Sequence, residues 1–387
     1  MEFIYADYAA TTPTDPRVVE VMMPYFSEVF YNASSTHAAG MQAQKAVMQA
    51  RMDIARHLGA KMSEIVFTSG ATEAINLAVL GAARKAGTTE RSKIVTSKTE
   101  HAAMLDTCQY CKDHGHQVEF CGVDENGLLL LDELEKMVDG QTLLVSVMTV
   151  NNETGVKQDL KSISAIAHKH GALFMTDATQ AYGKMLINVD ELGIDLLSLS
   201  GHKIYGPKGV GALFMRNRKE LACQLEAMQY GGGQEGGIRS GTLNVPGIVG
   251  LAAAGNIAHA EMEKETERLN ELRMQFENAL KLLPTIVING EGANRSYNVS
   301  NICFHGVDVD MMLMELEHVA VSKGSACHST TPKPSHVLVA MGRTAEQAGS
   351  SLRFSFGRYT SNEEIEELIK AVTKAHEKHR AAVNASL

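Results

Sequence analysis

Between residues 65 and 215, short apolar runs alternate with longer helical stretches, and nothing else in the chain restricts its fold as much. The runs cover 65–68, 94–96, 118–120, 143–148, 173–176, 196–199 and 212–215. Apolar at most positions, they suit strands buried on both faces, and the intervening segments suit crossover helices. The pattern predicts an α/β fold: a large domain with a mainly parallel, seven-stranded sheet flanked by helices. In such a sheet the ligand crevice lies outside the carboxyl ends of the strands, so the residues just after each run are where chemistry is expected.

The flanking sequence reads differently. Residues 1–7 form a short strand, and the two prolines of 11–16, set among cap-type residues, start a helix through Val18 and Met22. A polar loop at 31–37 leads into a long helix that ends near Gly59. The Gly-rich stretch 231–237 is a loop, and a charged helix follows from about 257 to 282 with its Glu and Lys residues on a solvated face. Beyond it come strands near 285–288, 299–304 and 351–355, and a helix at 310–317. A last helix carries Ile365, Leu368, Ile369 and Val372 on one buried face. These make a smaller α+β domain. The division runs near the start of the charged helix: 14–258 form the large domain, and 1–13 with 259–387 form the small one.

Composition enters by exclusion. No apolar run approaches the ~20 residues of a membrane helix, and a formal net charge of −9 without a basic cluster argues against a nucleic-acid partner. Without a secretory leader, the expected location is the cytoplasm. The cysteines at 108, 111, 121, 223, 303 and 327 are scattered, as reduced thiols are. Cys108 and Cys111 have metal or redox spacing, but they sit inside a helical stretch with no second pair. A structural role is expected for them, and no metal.

Lys203 ends a strand within the small-residue segment 198–211, where a ligand can approach the backbone. A lysine of lowered pKa there can form a Schiff base, and the commonest cofactor carbonyl is pyridoxal phosphate. That cofactor needs an acid at its ring nitrogen and donors at its phosphate. Asp177 follows the run 173–176 and can keep a pyridine nitrogen protonated, although capping a helix is also a common task for Asp there. Gln180, one turn on, can donate to the ring oxygen. Gly70, Ala71 and Thr72 stand where a strand turns into a helix, whose free N–H groups and dipole favour phosphate; many such turns bind nothing. His101 and Asn152 follow runs of their own, so four strand ends bring His101, Asn152, Asp177 and Lys203 to one rim.

The peptides Ser200-Gly-His-Lys203, Asp177-Ala-Thr-Gln180, Val150-Asn-Asn-Glu153 and Arg239-Ser-Gly-Thr242 complete a pattern that spans nearly the whole chain. With them the chain resembles the cysteine desulfurases of the NifS/IscS class, pyridoxal-phosphate enzymes of fold type I. The resemblance implies that Lys203 holds pyridoxal 5'-phosphate, Asp177 meets its nitrogen, Gln180 meets its phenolic oxygen and His101 covers its face. Thr72, Ser200 and His202 then bind the phosphate, joined by Thr242 from the other subunit of a homodimer. Arg353, helped by Asn152, fixes the carboxylate of L-cysteine. Cys327, in the Gly/Ser loop of the long-loop group, is the implied nucleophile: it takes the sulfur as a persulfide, leaves L-alanine, and passes the sulfur to an acceptor protein such as an iron–sulfur scaffold. A selenocysteine lyase or a cysteine lyase releasing sulfide would share Lys203 and Asp177 and differ in its use of Cys327.

Overall fold

The computed structural model describes residues 3–87, 91–216, 225–323 and 334–385, the last without the side chains of 381–385. β1 (Ile4–Tyr5) leads to α1 (Pro16–Met22), where Asp15 accepts the Arg17 amide and Pro16 supplies the φ a first helical residue needs. After α2 (Pro24–Ser27), α3 (Ala38–Leu58) begins at His37, whose Nδ1 accepts the Gly40 amide. It ends at Gly59, left-handed with φ 67°.

Next come β2 (Ile65–Thr68), α4 (Ala71–Ala86), β3 (Lys93–Ser97), α5 (Ala102–Asp113), β4 (Val118–Cys121) and α6 (Leu131–Met137). They are followed by β5 (Thr142–Ser146), α7 (Leu160–Lys169), β6 (Leu173–Asp177), β7 (Leu196–Ser200) and β8 (Gly211–Met215). Every expected run is a strand. They form one seven-stranded sheet in the order β2-β8-β7-β6-β5-β3-β4, parallel throughout except that β8 runs against both neighbours. The exception follows from connection length: only a short 3-10 turn, Gly201–Lys203, and no crossover α-helix separates β7 from β8, so the chain turns back and pairs antiparallel. Because β8 is reversed relative to both β2 and β7, those two share a direction. The carboxyl ends of β2, β3, β5, β6 and β7 therefore lie along one edge.

The chain continues through α8 (Val245–Leu280), β9 (Ile286–Ile288), β10 (Val299–Phe304), α9 (Val309–Glu315), β11 (Val319–Ala320), α10 (His336–Ala340), α11 (Ala345–Gly349), β12 (Ser351–Ser355) and α12 (Asn362–Ala385). The strands β12-β10-β9 form an antiparallel sheet, and β1 pairs in parallel with β11. The helix expected from about 257 starts at Val245 instead. Its first turns are rich in Gly, a poor helix former, and in Ala, and these residues are small because neighbours press on them. A Cβ on Gly250 would lie 2.5 Å from Met22 Sδ, and one on Gly255 would lie 2.7 Å from Tyr182 Oη.

Apolar clusters cover both faces of the large sheet. Val47, Ile54, Phe174, Phe214 and Leu251 belong to one, with α3 and the first half of α8; Ile75, Val79, Met104 and Leu196 belong to the other, under α4 and α5. A further cluster, with Leu272, Phe276, Phe304, Phe354 and Leu368, fills the space between the small sheet, the second half of α8 and α12. Each such side chain contributes about 1.5–3 kcal/mol on burial. Among the described residues, no helix is long and apolar enough to cross a membrane.

Candidate active site

A cavity of about 650 Å³ opens at the common carboxyl edge of the strands. Gly70, Ala71 and Thr72 after β2, His101 after β3, and Asn152 beyond β5 line it. So do Asp177 and Gln180 at the end of β6, and Ser200, His202 and Lys203 after β7. Arg353 reaches it from β12. A separate hollow of about 970 Å³ lies beside β2, lined by Gln44, Met48, Arg51 and Glu235, and carries none of these strand-end groups. Thr242 is exposed and does not line the cavity in this chain. Cys327 lies outside the described residues.

At one end the cavity meets the N-terminus of α4. Gly70 has φ 155°, a value that excludes side chains, and it packs against β8 so closely that a Cβ on Gly211 would sit 2.7 Å from the Gly70 Cα. The free amide groups of the first helical turn thus stand against the sheet edge beside Ser200. His202 shares a hydrogen bond between its Nδ1 and Thr11 Oγ1 at 3.1 Å. Burial, followed by the charges of Lys203, Lys208 and Lys184, brings its pKa down to about 4, so near neutral pH it is an uncharged hydrogen-bonding group.

In the middle, Asp177 accepts the Thr179 amide at 2.9 Å, the Thr179 hydroxyl, and the Ser198 hydroxyl at 3.0 Å. All three fall on Oδ1, which fixes the carboxylate of a residue that lines the cavity. His101 caps α5 by accepting the Ala103 amide on Nδ1 at 3.1 Å, so its neutral ring carries the proton on Nε2. Burial lowers its pKa, with Asp177 pulling up and Lys203 and His336 pulling down.

Lys203 Nζ donates to the carbonyls of Ala9 at 2.7 Å and Ala10 at 2.6 Å. Burial, then the charge of Arg353, lowers its pKa to about 8, against the opposite pull of Asp7 and Asp177. That is the state a nucleophilic amine needs: a substantial neutral fraction near physiological pH. Arg353, 4% exposed, donates through Nη1 to the Asn152 carbonyl at 2.9 Å and through Nη2 to Asp7 at 2.7 Å, while its buried Nε has no partner. Arg353 lines the cavity, so its guanidinium is the cation available to a carboxylate there. Asn152 lines the cavity and also lends its carbonyl to Arg353; the side chain buried beside it is that of Asn151, which donates to the Thr99 carbonyl at 3.0 Å.

Two acids near the rim escaped the sequence reading. Glu100 is wholly buried, accepts the Met148 amide at 2.7 Å on Oε1 and leaves Oε2 unpartnered; burial holds its pKa well above the carboxylate range. Glu153, raised likewise by burial, accepts the Ser335 hydroxyl. His336, which lines the cavity, donates through Nε2 to the Glu100 carbonyl at 2.9 Å. Position immediately before or after the rim residues was the only signal for the two acids.

A depressed lysine, an oriented carboxylate and a helix N-terminus set around one cavity define a pyridoxal-phosphate enzyme. The model of the aminotransferase class-V family matches residues 4–368, and the chain belongs to that family. Within it the chain groups with the cysteine desulfurases. It is 47% identical to cysteine desulfurase IscS of Salmonella typhi over 378 residues, 96% of this chain and 92% of that protein. The solved structure of a NifS-like protein superposes with a TM-score of 0.89 at 34% identity, covering 96% of this chain and 98% of that one. SspA in complex with cysteine gives 0.82 at 37% identity, covering 92% and 99%. The cofactor of this family is pyridoxal 5'-phosphate, and the residues present fit it: the side-chain-free approach at Gly70 admits a phosphate, and Asp177 and Lys203 line the same cavity.

Proposed function

We propose that this cavity desulfurates L-cysteine, with Lys203 holding pyridoxal phosphate, Asp177 at its ring nitrogen, and Gly70 to Thr72, Ser200 and His202 at its phosphate. The observation that carries the reading is the convergence of a Lys203 amine lowered to about 8 with Asp177 and Arg353 in one cavity. Bound there, the cofactor supplies a sink for the electron pair left when the substrate Cα loses its proton. Arg353 holds the substrate carboxylate and so fixes which Cα bond is exposed. The Lys203 amine takes the Cα proton and returns it to the product, and His101, neutral with a proton on Nε2, serves the transfers on the other side. The Cys327 thiolate attacks the substrate sulfur: an S–S bond forms as the Cβ–S bond breaks, and the carbon skeleton leaves as L-alanine. Cysteine and thiol become alanine and persulfide, so no outside oxidant is needed, and the sulfur then passes to an acceptor protein.

Several finer readings belong to the same proposal. The exposure of Thr242, apart from the cavity of its own chain, supports a homodimer in which it completes the partner's phosphate site. Apart from Val337, Leu338, Met341 and Ala348, which pack with the large sheet, the separate apolar clusters support a large domain of 14–258 and a small one of 1–13 with 259–387. The free thiols of Cys108, Cys111, Cys121 and Cys303 support a reducing, cytoplasmic setting, and an iron–sulfur scaffold is the acceptor we favour.

The test is alanine and persulfide formation from L-cysteine by wild type and Cys327→Ala. The variant is expected to keep the visible absorbance of the bound cofactor and to form no alanine. Turnover at the wild-type rate would exclude the persulfide step and favour direct release of sulfide.

A further inference from the structure

We propose that Lys184 is a positioning residue of the cofactor site, acting through Gln180. The turn after β6 puts the two side chains four residues apart on one side, with the Tyr182 amide bonded to the Ala178 carbonyl and that of Met185 to Ala181. Lys184 Nζ donates to Gln180 Oε1 at 2.9 Å, and Gln180 Nε2 donates to the Ala9 carbonyl at 2.9 Å. Ala9 is also the residue whose carbonyl holds Lys203 Nζ at 2.7 Å.

An amide side chain presents nearly the same shape either way round, so its hydrogen-bond partners decide which end faces where. An ammonium only donates. The atom of Gln180 that faces Lys184 is therefore oxygen, and the cavity side receives Nε2, whose second hydrogen remains free to donate. Without Lys184 both orientations become accessible, and in one of them an acceptor faces the cofactor where a donor is wanted. Lys184 itself does not line the 650 Å³ cavity. It lines a separate small hollow of about 10 Å³, with Lys203, Glu265, Tyr297 and Arg358. Its own pKa is pushed down to about 7, by burial first and then by the charge of Lys203, with Glu265 pulling the other way and Arg353 adding to the fall. Its effect on bound ligand thus passes by way of Gln180 and not by contact.

The inference rests on the reading that Gln180 meets the cofactor's phenolic oxygen. A donor at that oxygen weakens its hold on the neighbouring proton, so losing the donor raises the pH at which the visible band of the lysine-bound cofactor titrates. The experiment is a spectral pH titration of the substrate-free holoenzyme as wild type, Lys184→Met, Gln180→Leu and the double variant. Lys184→Met is expected to raise the midpoint by about half to one pH unit, the size of one hydrogen bond. In the Gln180→Leu background the same change should move it by less than half as much, and Lys184→Arg should restore the wild-type midpoint. Equal shifts in both backgrounds would mean a direct effect of charge and would overturn the proposal. So would a Lys184→Met midpoint at the wild-type value when Gln180→Leu moves it. If Gln180→Leu itself moves nothing, the reading of Gln180 fails first. Should Lys184→Met not take up cofactor, Lys184→Gln, which bonds either end of the amide, carries the same comparison.

Discussion

Arg353 Nη2 donates to Asp7 Oδ1 at 2.7 Å, so a strand near the end of the chain and a segment near its beginning share one charge pair at the cavity wall. The pair anchors the guanidinium, whose buried Nε has no partner. Arg353→Lys gives up the fork and is expected to lower kcat/KM for L-cysteine roughly a hundredfold. Asp7→Asn keeps an acceptor but not the charge. Its expected effect is a rise of about tenfold in KM with little change in kcat, measured by steady-state alanine formation.

Asp177→Asn separates holding the cofactor from activating it. The amide can still accept from Ser198 and Thr179, as Oδ1 does now, but it cannot balance a proton on a pyridine nitrogen. Turnover is expected to fall by roughly a hundredfold or more while absorbance still reports bound cofactor. Wild-type turnover in that variant would remove Asp177 from its assigned role.

The lowered pKa of Lys203 makes the cofactor-free protein sensitive to alkali in a defined sense. Its folded value is about 8 against 10.5 for an unperturbed lysine, so between those limits the unfolded chain binds the extra proton. Stability then rises with pH across that window, and below about pH 8 the buried charge costs the folded state a constant amount. Urea midpoints of the cofactor-free protein at pH 7.5, 8.5 and 9.5 measure it. The advantage of Lys203→Met over wild type should shrink as pH increases; a gap independent of pH would contradict the assignment.

Glu235 closes the edge of the large sheet. Its Oε2 accepts the Phe67 amide at 2.9 Å, and its carboxylate pairs with Arg51, which donates in turn to the Ile65 carbonyl. The two side chains thus bond β2 as a neighbouring strand would. Glu235 has a φ of 51°, unusual outside glycine, and the pair holds it there. Glu235→Gln, leaving a buried guanidinium without its counter-charge, should cost about 3 kcal/mol in urea unfolding and expose an edge prone to association.

The strands were legible because each is an apolar run closed by a small or polar residue, and the rim because its residues follow those runs directly. Position along the chain therefore located His101, Asp177 and Lys203. Lys184 and His336 were not legible for the opposite reason: they belong to the site through contacts with Gln180 and with the Glu100 carbonyl, and nothing local in the sequence distinguishes them from solvated residues. The start of α8 was missed because Gly247, Gly250 and Gly255 weaken helix propensity, whereas tertiary packing against Met22 and Tyr182 demands small residues there. Asn152 lies on the rim as expected, and it also gives its carbonyl to Arg353, a backbone contact that no side-chain reading could foresee.

The unbroken α8 has a mechanical consequence. At 1.5 Å per residue its 36 residues make a rod about 54 Å long, with Leu251 rooted in the core beneath the lysine-bearing sheet and Phe276 rooted in the core that carries Arg353. On the roles proposed for Arg353 and Lys203, the distance between the guanidinium that meets the substrate's carboxylate and the amine that works on its α-carbon is gauged by a stiff member common to both. A substrate longer or shorter by one carbon between those groups meets a span that cannot yield by bending at a linker. Selectivity for the α-amino acid skeleton is in this sense built into the frame as well as into the residues that touch it.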